Sequence, residues 1–310
     1  MTFFVILLSL MLFLIVFVIA PAFVFYHSIF GRRKVLPLDD ERLYKPGIEP
    51  FKERMLSDLA VLKKVGFKRV SIIAKDGVTL CADLYDRGAD KTALMVHGYN
   101  ADPYVNLVSP ARWLYDNGFN LLVIYHRAHS YSGGDRSGMG LLEQDDVASW
   151  IEYLEDRDGS QQILLYGASM GGSALAYLSD RMTDDHVKGV MIDSGYISTE
   201  RQLLHDVRRM HLPVLKLLIP LIGWICKRDI HVDIREKTTD HLKKAKKPIL
   251  FFHTENDPTV DLSEGQENCN ACSSRKQMVI TKGEGHMTAF LSDEPLVTNA
   301  MKDFIHQHFI

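Results

Sequence analysis

The chain has 310 residues, enough for one large domain or two small ones. Hydrophobic residues make up 46% and charged residues 24%, which excludes a disordered chain and a polytopic membrane protein. With 36 Lys and Arg against 39 Asp and Glu, the net charge is −3, so nucleic acid is not an expected partner.

The charges are unevenly placed. Residues 1–31 carry no Asp, Glu, Lys or Arg, and from Phe3 to Phe25 only Ser9 and Pro21 interrupt an apolar run. As a helix, such a run reaches ~35 Å at ~1.5 Å per residue, and a hydrocarbon core is ~30 Å thick. A cleaved signal peptide is the rival reading, with Ala20-Pro21-Ala22 as a faint cleavage site. Signal peptides carry a basic start and a shorter apolar core, so residues 1–34 are expected to be an uncleaved single-pass anchor with a basic flank. Arg32, Arg33 and Lys34 follow the run, and by the positive-inside bias they put the rest of the chain on the cytoplasmic side of the cell membrane.

Residues 35–67 hold Pro37, Pro46 and Pro50 among many charges and read as a linker entering a short helix. Residues 68–86 carry Asp76-Gly77 between two alternating segments, a hairpin signal. Six apolar runs follow, at 93–98, 120–126, 162–167, 187–193, 248–253 and 276–281. Helical patterns at 104–117, 143–157, 170–181, 261–275 and 295–309 separate most of them. Continuous rather than alternating apolar strands are buried on both faces, which implies a mostly parallel central sheet covered by helices. Between the fourth and fifth runs lie residues 194–247, too long for one crossover helix. A cap inserted at about 199–245, over the carboxyl edge where such sheets bind ligands, is the expected reading. Beyond the 35–67 segment, residues 68–310 read as one domain that contains this cap.

Chemistry concentrates at three loops. Ser169 sits in Gly167-Ala168-Ser169-Met170-Gly171, between an apolar strand and a helix. A sharp strand-to-helix turn exposes the hydroxyl and leaves no room for side chains two residues away, hence the glycines. A serine nucleophile needs a base and an orienting acid. His286 lies in a glycine-bounded loop after the last strand, and Asp257 ends the strand before it. The order Ser, Asp, His, each at a strand's carboxyl end, selects these two, with Asp193 and Glu255 as rival acids. Backbone N–H groups of Tyr99, after the strand at 93–98, and of Met170 are the expected oxyanion donors. His97 is expected to pack beneath that loop.

The motifs His97-Gly98, Tyr125 to Gly134, Gly167 to Gly171, His253 to Asp257 and Gly285-His286 give residues 68–310 a plain resemblance. They resemble the α/β-hydrolase superfamily, in particular bacterial hydrolases with one N-terminal membrane helix, near the prolyl-oligopeptidase-like group. The resemblance implies an α/β-hydrolase fold with an inserted helical cap. Where many relatives read D-x-R-G-H-G-x-S, Ala128 and Ser130 replace both glycines, and Asp261 replaces a proline after Val260.

The expected function is a serine hydrolase cleaving an ester or thioester through an acyl-enzyme, with a small acyl ester or lipid-like molecule as substrate. A serine peptidase or aminopeptidase is the alternative, and a catalytically silent binding protein a further one. No cofactor or metal is expected. Cys269 and Cys272, with no second ligand pair nearby, read as ordinary helix residues.

Overall fold

A computed structural model describes residues 2–36, 38, 40–43, 47–158 and 162–309. Pro37 and Pro46 of the expected linker lie outside the described residues. The apolar run forms α1 (Thr2–Leu14) and α2 (Ala20–Phe30), joined by a π-helical turn, Ile15–Ile19. The helix thus ends at Phe30, five residues beyond the apolar run. After two 3₁₀ turns, α3 (Lys52–Val65) leads into the sheet.

Strands β1 (Lys68–Ile73) and β2 (Thr79–Tyr85) form the expected antiparallel hairpin. Its turn closes through Gly77 at φ 86°, a left-handed value that favours glycine. Next come β3 (Lys91–Val96), α4 (Pro103–Asp116), β4 (Asn120–Tyr125) and α5 (Glu143–Asp158). Then follow β5 (Gln162–Ala168), α6 (Met170–Leu178) and β6 (Val187–Asp193). The long interval supplies α7 (Thr199–Arg209), a 3₁₀ segment Pro213–Leu218, α8 (Ile219–Asp229) and α9 (Thr238–Leu242). The chain closes with β7 (Ile249–Asn256), α10 (Leu262–Ala271), β8 (Lys276–Glu284), α11 (Ala289–Ser292) and α12 (Glu294–His308).

The strands make one eight-stranded sheet in the order β1-β2-β4-β3-β5-β6-β7-β8. Pairing is parallel from β4 to β8 and antiparallel at β1–β2 and β2–β4. Both faces are covered, and this explains the continuous apolar strands. Ala93, Leu121, Val123 and Leu164 point into one core, beneath α3, α4 and α12. Their neighbours Leu94, Leu122, Ile124 and Leu165 point into the other, beneath α5 and α6. Side chains capping the helices set the loop ends: Asp102 accepts from Tyr104 N–H at 3.1 Å, and Asp261 from Ser263 N–H at 2.8 Å. Asp261 therefore does capping work at the position where relatives carry proline.

A third cluster lies outside both sheet faces. There Ala22, Tyr26 and Phe30 of α2 pack with Ile219, Ile222 and Cys226 of α8 and with Met170. The spacing of four puts the three α2 residues on one stripe of the helix. The last three turns of the apolar helix, within the expected anchor, thus dock on the rest of the chain.

Candidate active site

Ser169 occupies the one residue between β5 and α6, at φ 52° and ψ −117°. For a non-glycine residue this backbone costs on the order of 1–3 kcal/mol and persists only where the surroundings enforce it. Enforcement is visible here. Ser169 N–H donates to the carbonyl of Asp193 at 2.8 Å. A Cβ on Gly167 would lie 2.6 Å from the carbonyl oxygen of Gly171, and one on Gly171 2.6 Å from that of His97. Neither glycine can carry a side chain while the turn keeps this shape.

His286 follows β8 and reaches both neighbours. Its Nδ1–H donates to Asp257 Oδ2 at 2.7 Å, and its Nε2 accepts from Ser169 Oγ–H at 2.7 Å. Asp257, at the end of β7, is buried and takes two backbone donors on its other oxygen, Thr259 at 2.8 Å and Val260 at 3.0 Å. Burial alone would raise its pKa. The facing imidazole and these hydrogen bonds outweigh burial and hold the carboxyl below the ordinary value.

The two rival acids lie elsewhere. Glu255 is exposed. Asp193 is buried and its pKa is pushed up to about 6, chiefly by burial. It accepts from Ser194 Oγ–H at 2.9 Å rather than from His286.

The loop after β3 is held by three buried histidines. His97 Nε2 accepts from His126 N–H at 3.0 Å, and His126 Nε2–H donates to the carbonyl of His97 at 2.8 Å. His129 Nε2 accepts from Asn100 N–H at 3.1 Å. Burial first, and the neighbouring imidazoles second, keep the pKa of His97 far below its ordinary value, so it is a neutral brace. Tyr99 and Met170 flank the site on this loop and at the first position of α6, where a helix leaves N–H groups unpaired.

The next loop explains the two replaced glycines. Ala128 has φ 57° and Ser130 φ 43°, so both keep the left-handed backbone that glycine adopts more easily. Part of the brace comes from the residues just past α2. Arg32 donates from Nη1 to the carbonyls of Ser132 and Gly134 and from Nη2 to that of Ser130, each at 2.9 Å.

A cavity of ≈ 330 Å³ opens beside Ser169 and His286. Leu203 and Met210 wall it from α7 and its end, and Phe25, Ser28 and Ile29 from α2. Tyr99 O–H donates to the carbonyl of Ile29 at 2.7 Å, with the Arg33 guanidinium 4.8 Å over its ring. Sequence reasoning missed these helix residues. The one available signal was Tyr26-His27-Ser28, polar groups inside an otherwise apolar helix.

Cys269 and Cys272 are free and buried, the first in α10 and the second just past its end. Among the described residues, no group of three or more His, Cys, Asp or Glu is placed to hold a metal.

Comparison with known proteins matches residues 88–231 to the serine aminopeptidase S33 family model and residues 223–308 to a TAP-like protein family model. The uncharacterised protein YqkD of Bacillus subtilis is 20% identical over 225 residues, 69% of this chain and 70% of that protein. The uncharacterised protein YfhR of Escherichia coli K12 is 24% identical over 220 residues, 69% of each. Among solved structures, the Pyrococcus furiosus esterase Pf2001 superposes with a TM-score of 0.66 at 20% identity, over 80% of this chain and 94% of that one. Est1E of Butyrivibrio proteoclasticus, solved with ferulic acid, gives 0.58 at 18% identity, over 77% and 98%. Sheet order, strand-to-helix elbow and these matches give the chain the α/β-hydrolase fold, and the two family models and the esterase neighbours support a hydrolase activity of the esterase or peptidase type.

Proposed function

We propose that the chain is a membrane-anchored serine hydrolase that cleaves carboxylic esters or thioesters through an acyl-enzyme. One observation carries the reading: Ser169, His286 and Asp257 are joined by two 2.7 Å hydrogen bonds at the edge of a mostly apolar cavity. Ser169 Oγ attacks the carbonyl carbon while His286 Nε2 takes the hydroxyl proton. The proton then passes to the leaving group, and water repeats the sequence to release the acid. Asp257 fixes the tautomer and stabilises the imidazolium as it forms. The amides of Tyr99 and Met170 hold the oxyanion. Residues 199–245 serve as the cap, and residues 3–25 as the span, with the catalytic unit on the cytoplasmic side.

The match to a serine aminopeptidase model favours a second reading, cleavage of an amide by the same three residues. Fluorophosphonate labelling of the full chain, followed by a panel of acyl esters and aminoacyl amides, separates the two. Ser169→Ala should lose both label and turnover, by on the order of 10⁶, while keeping its fold. Ordinary labelling of that variant would show that another residue reacts. The full chain is needed because α2 walls the cavity.

A further inference from the structure

The segment from Met210 to Trp224 carries apolar residues on its exposed side as well as its buried side. Ile219, Ile222, Ile225 and Cys226 face inward and are buried. Leu217, in the 3₁₀ segment, and Trp224, in α8, are 74% and 56% exposed. Met210, Leu212 and Val214 immediately before them are exposed as well. Exposed Trp, Leu, Met and Val side chains gathered in one patch mark a surface that meets an apolar partner or lipid.

Two further features say what covers the other face. Around the apolar residues stand exposed Arg208, Arg209, Lys216, Lys227 and Arg228, with the Arg228 guanidinium 5.4 Å over the Trp224 ring. The acidic residue of the helix, Asp229, is tied to Tyr26 and Arg136 at 2.5 and 3.0 Å. A basic rim around Trp and Leu suits the interfacial layer of a bilayer with anionic headgroups. The patch is also continuous with the membrane helix. Val18 of the π-helical turn packs on the same cluster as Leu215, while Phe3 at the helix's far end is 80% exposed. Length and composition suit the 28 residues Phe3–Phe30 to a membrane span.

We propose that residues 210–224 are a second membrane contact, seated in the headgroup layer of the bilayer that the N-terminal helix enters. Arg209 and Met210 belong both to this patch and to the cavity wall opposite Phe25 and Ile29. The cavity therefore opens toward the membrane surface, and its substrate is a bilayer-resident ester whose acyl chain passes between α2 and α7 to Ser169. This substrate assignment rests on the hydrolase reading above; the membrane contact does not.

The test uses the full chain in phosphatidylcholine–phosphatidylglycerol vesicles containing phosphatidylcholine brominated at defined acyl carbons. Trp150 is buried and Trp113 half-buried, so the fluorescence lost in Trp224→Phe reports Trp224. Shallow bromines should quench that component more than deep ones. Absence of quenching, or a stable dimer in detergent that shields Trp224, would overturn the contact. The double variant Val214→Ser, Leu217→Ser should cut hydrolysis of a vesicle-borne long-chain ester at least tenfold and leave a water-soluble short ester unchanged. Equal losses on the two esters would overturn the entry route. Failure of the chain to label at Ser169 or to cleave either ester would sink the hydrolase reading, while the quenching result would still decide the contact.

Discussion

Replacing Asp257 by Asn tests the proposed relay more sharply than removing the side chain. Thr259 and Val260 both donate N–H groups to Oδ1, at 2.8 and 3.0 Å. In the Asn variant the amide oxygen must stay there, which turns the NH₂ toward His286 Nδ1, 2.7 Å away in the parent. Two donors cannot face each other, so the imidazole has to move its proton to Nε2. That nitrogen then donates to Ser169 and can no longer accept its proton. A wrong tautomer of this kind costs ~10³–10⁴ in kcat, or about 4–5.5 kcal/mol at ~1.36 kcal/mol per decade. Asp257→Ala imposes no orientation and leaves the tautomer free. Steady-state kinetics on a short chromogenic ester should therefore rank Asn at or below Ala, with folding checked by circular dichroism. An Asn variant clearly more active than Ala would refute the tautomer argument. A comparable loss in Asp193→Asn would move the acid to the preceding strand.

Ile29→Trp should fill part of the cavity from the anchor side. At ~0.8 kcal/mol per buried methylene, excluding four of them lowers kcat/KM for a long acyl ester ~10²-fold, while an acetyl ester stays within about threefold; uniform loss across chain lengths would place Ile29 off the acyl path. Asp193 makes stability pH-dependent. Its folded pKa, about 6 against an ordinary 3.8, favours the protonated native state, so stability is greatest below about pH 4 and falls as pH rises toward 6. The fall is at most about 3 kcal/mol, whereas the stability from Asp257, held low, is lost only as pH falls below its ordinary value of 3.8. Urea titrations from pH 4 to 7 should show this decline in the parent and a flatter curve in Asp193→Asn. Ser130→Gly should stabilise the fold by about 0.5–1 kcal/mol. Relief of left-handed strain, ~1–2 kcal/mol, exceeds the added unfolded-state entropy, ~0.4–1 kcal/mol, and a lower melting temperature would contradict that balance.

Much of the fold was readable because burial on both sheet faces leaves an unmistakable trace. Leu121-Leu122-Val123-Ile124 alternates between two cores, so no polar residue interrupts it. The elbow was readable for steric reasons, since only glycine fits at 167 and 171. Asp257 was harder. Nothing in its own sequence distinguishes it from Glu255, and only its position before the histidine loop singled it out. The docking of α2 left almost no signal. An amphipathic helix advertises its buried stripe by the polar residues opposite, but here the opposite residues, such as Phe23 and Val24, are apolar too. The basic flank hides a second role in a related way. Arg32 reads as a topogenic charge, and nothing local reveals that its guanidinium holds three carbonyls a hundred residues away.

That clamp changes what kind of part the N-terminal helix is. A helix that merely kept an enzyme near a bilayer could be exchanged for any other apolar segment, or cut off to give a soluble protein. This one contributes Ala22, Tyr26 and Phe30 to a packed cluster, Phe25 and Ile29 to the cavity, and Arg32 to the loop beside it. Swapping it for a foreign span, or beginning the chain at residue 35, would leave an apolar scar on α8 and an unroofed cavity. The boundary between apolar segment and folded domain runs lengthwise through a single helix, one side exposed and apolar and the other facing the candidate active site.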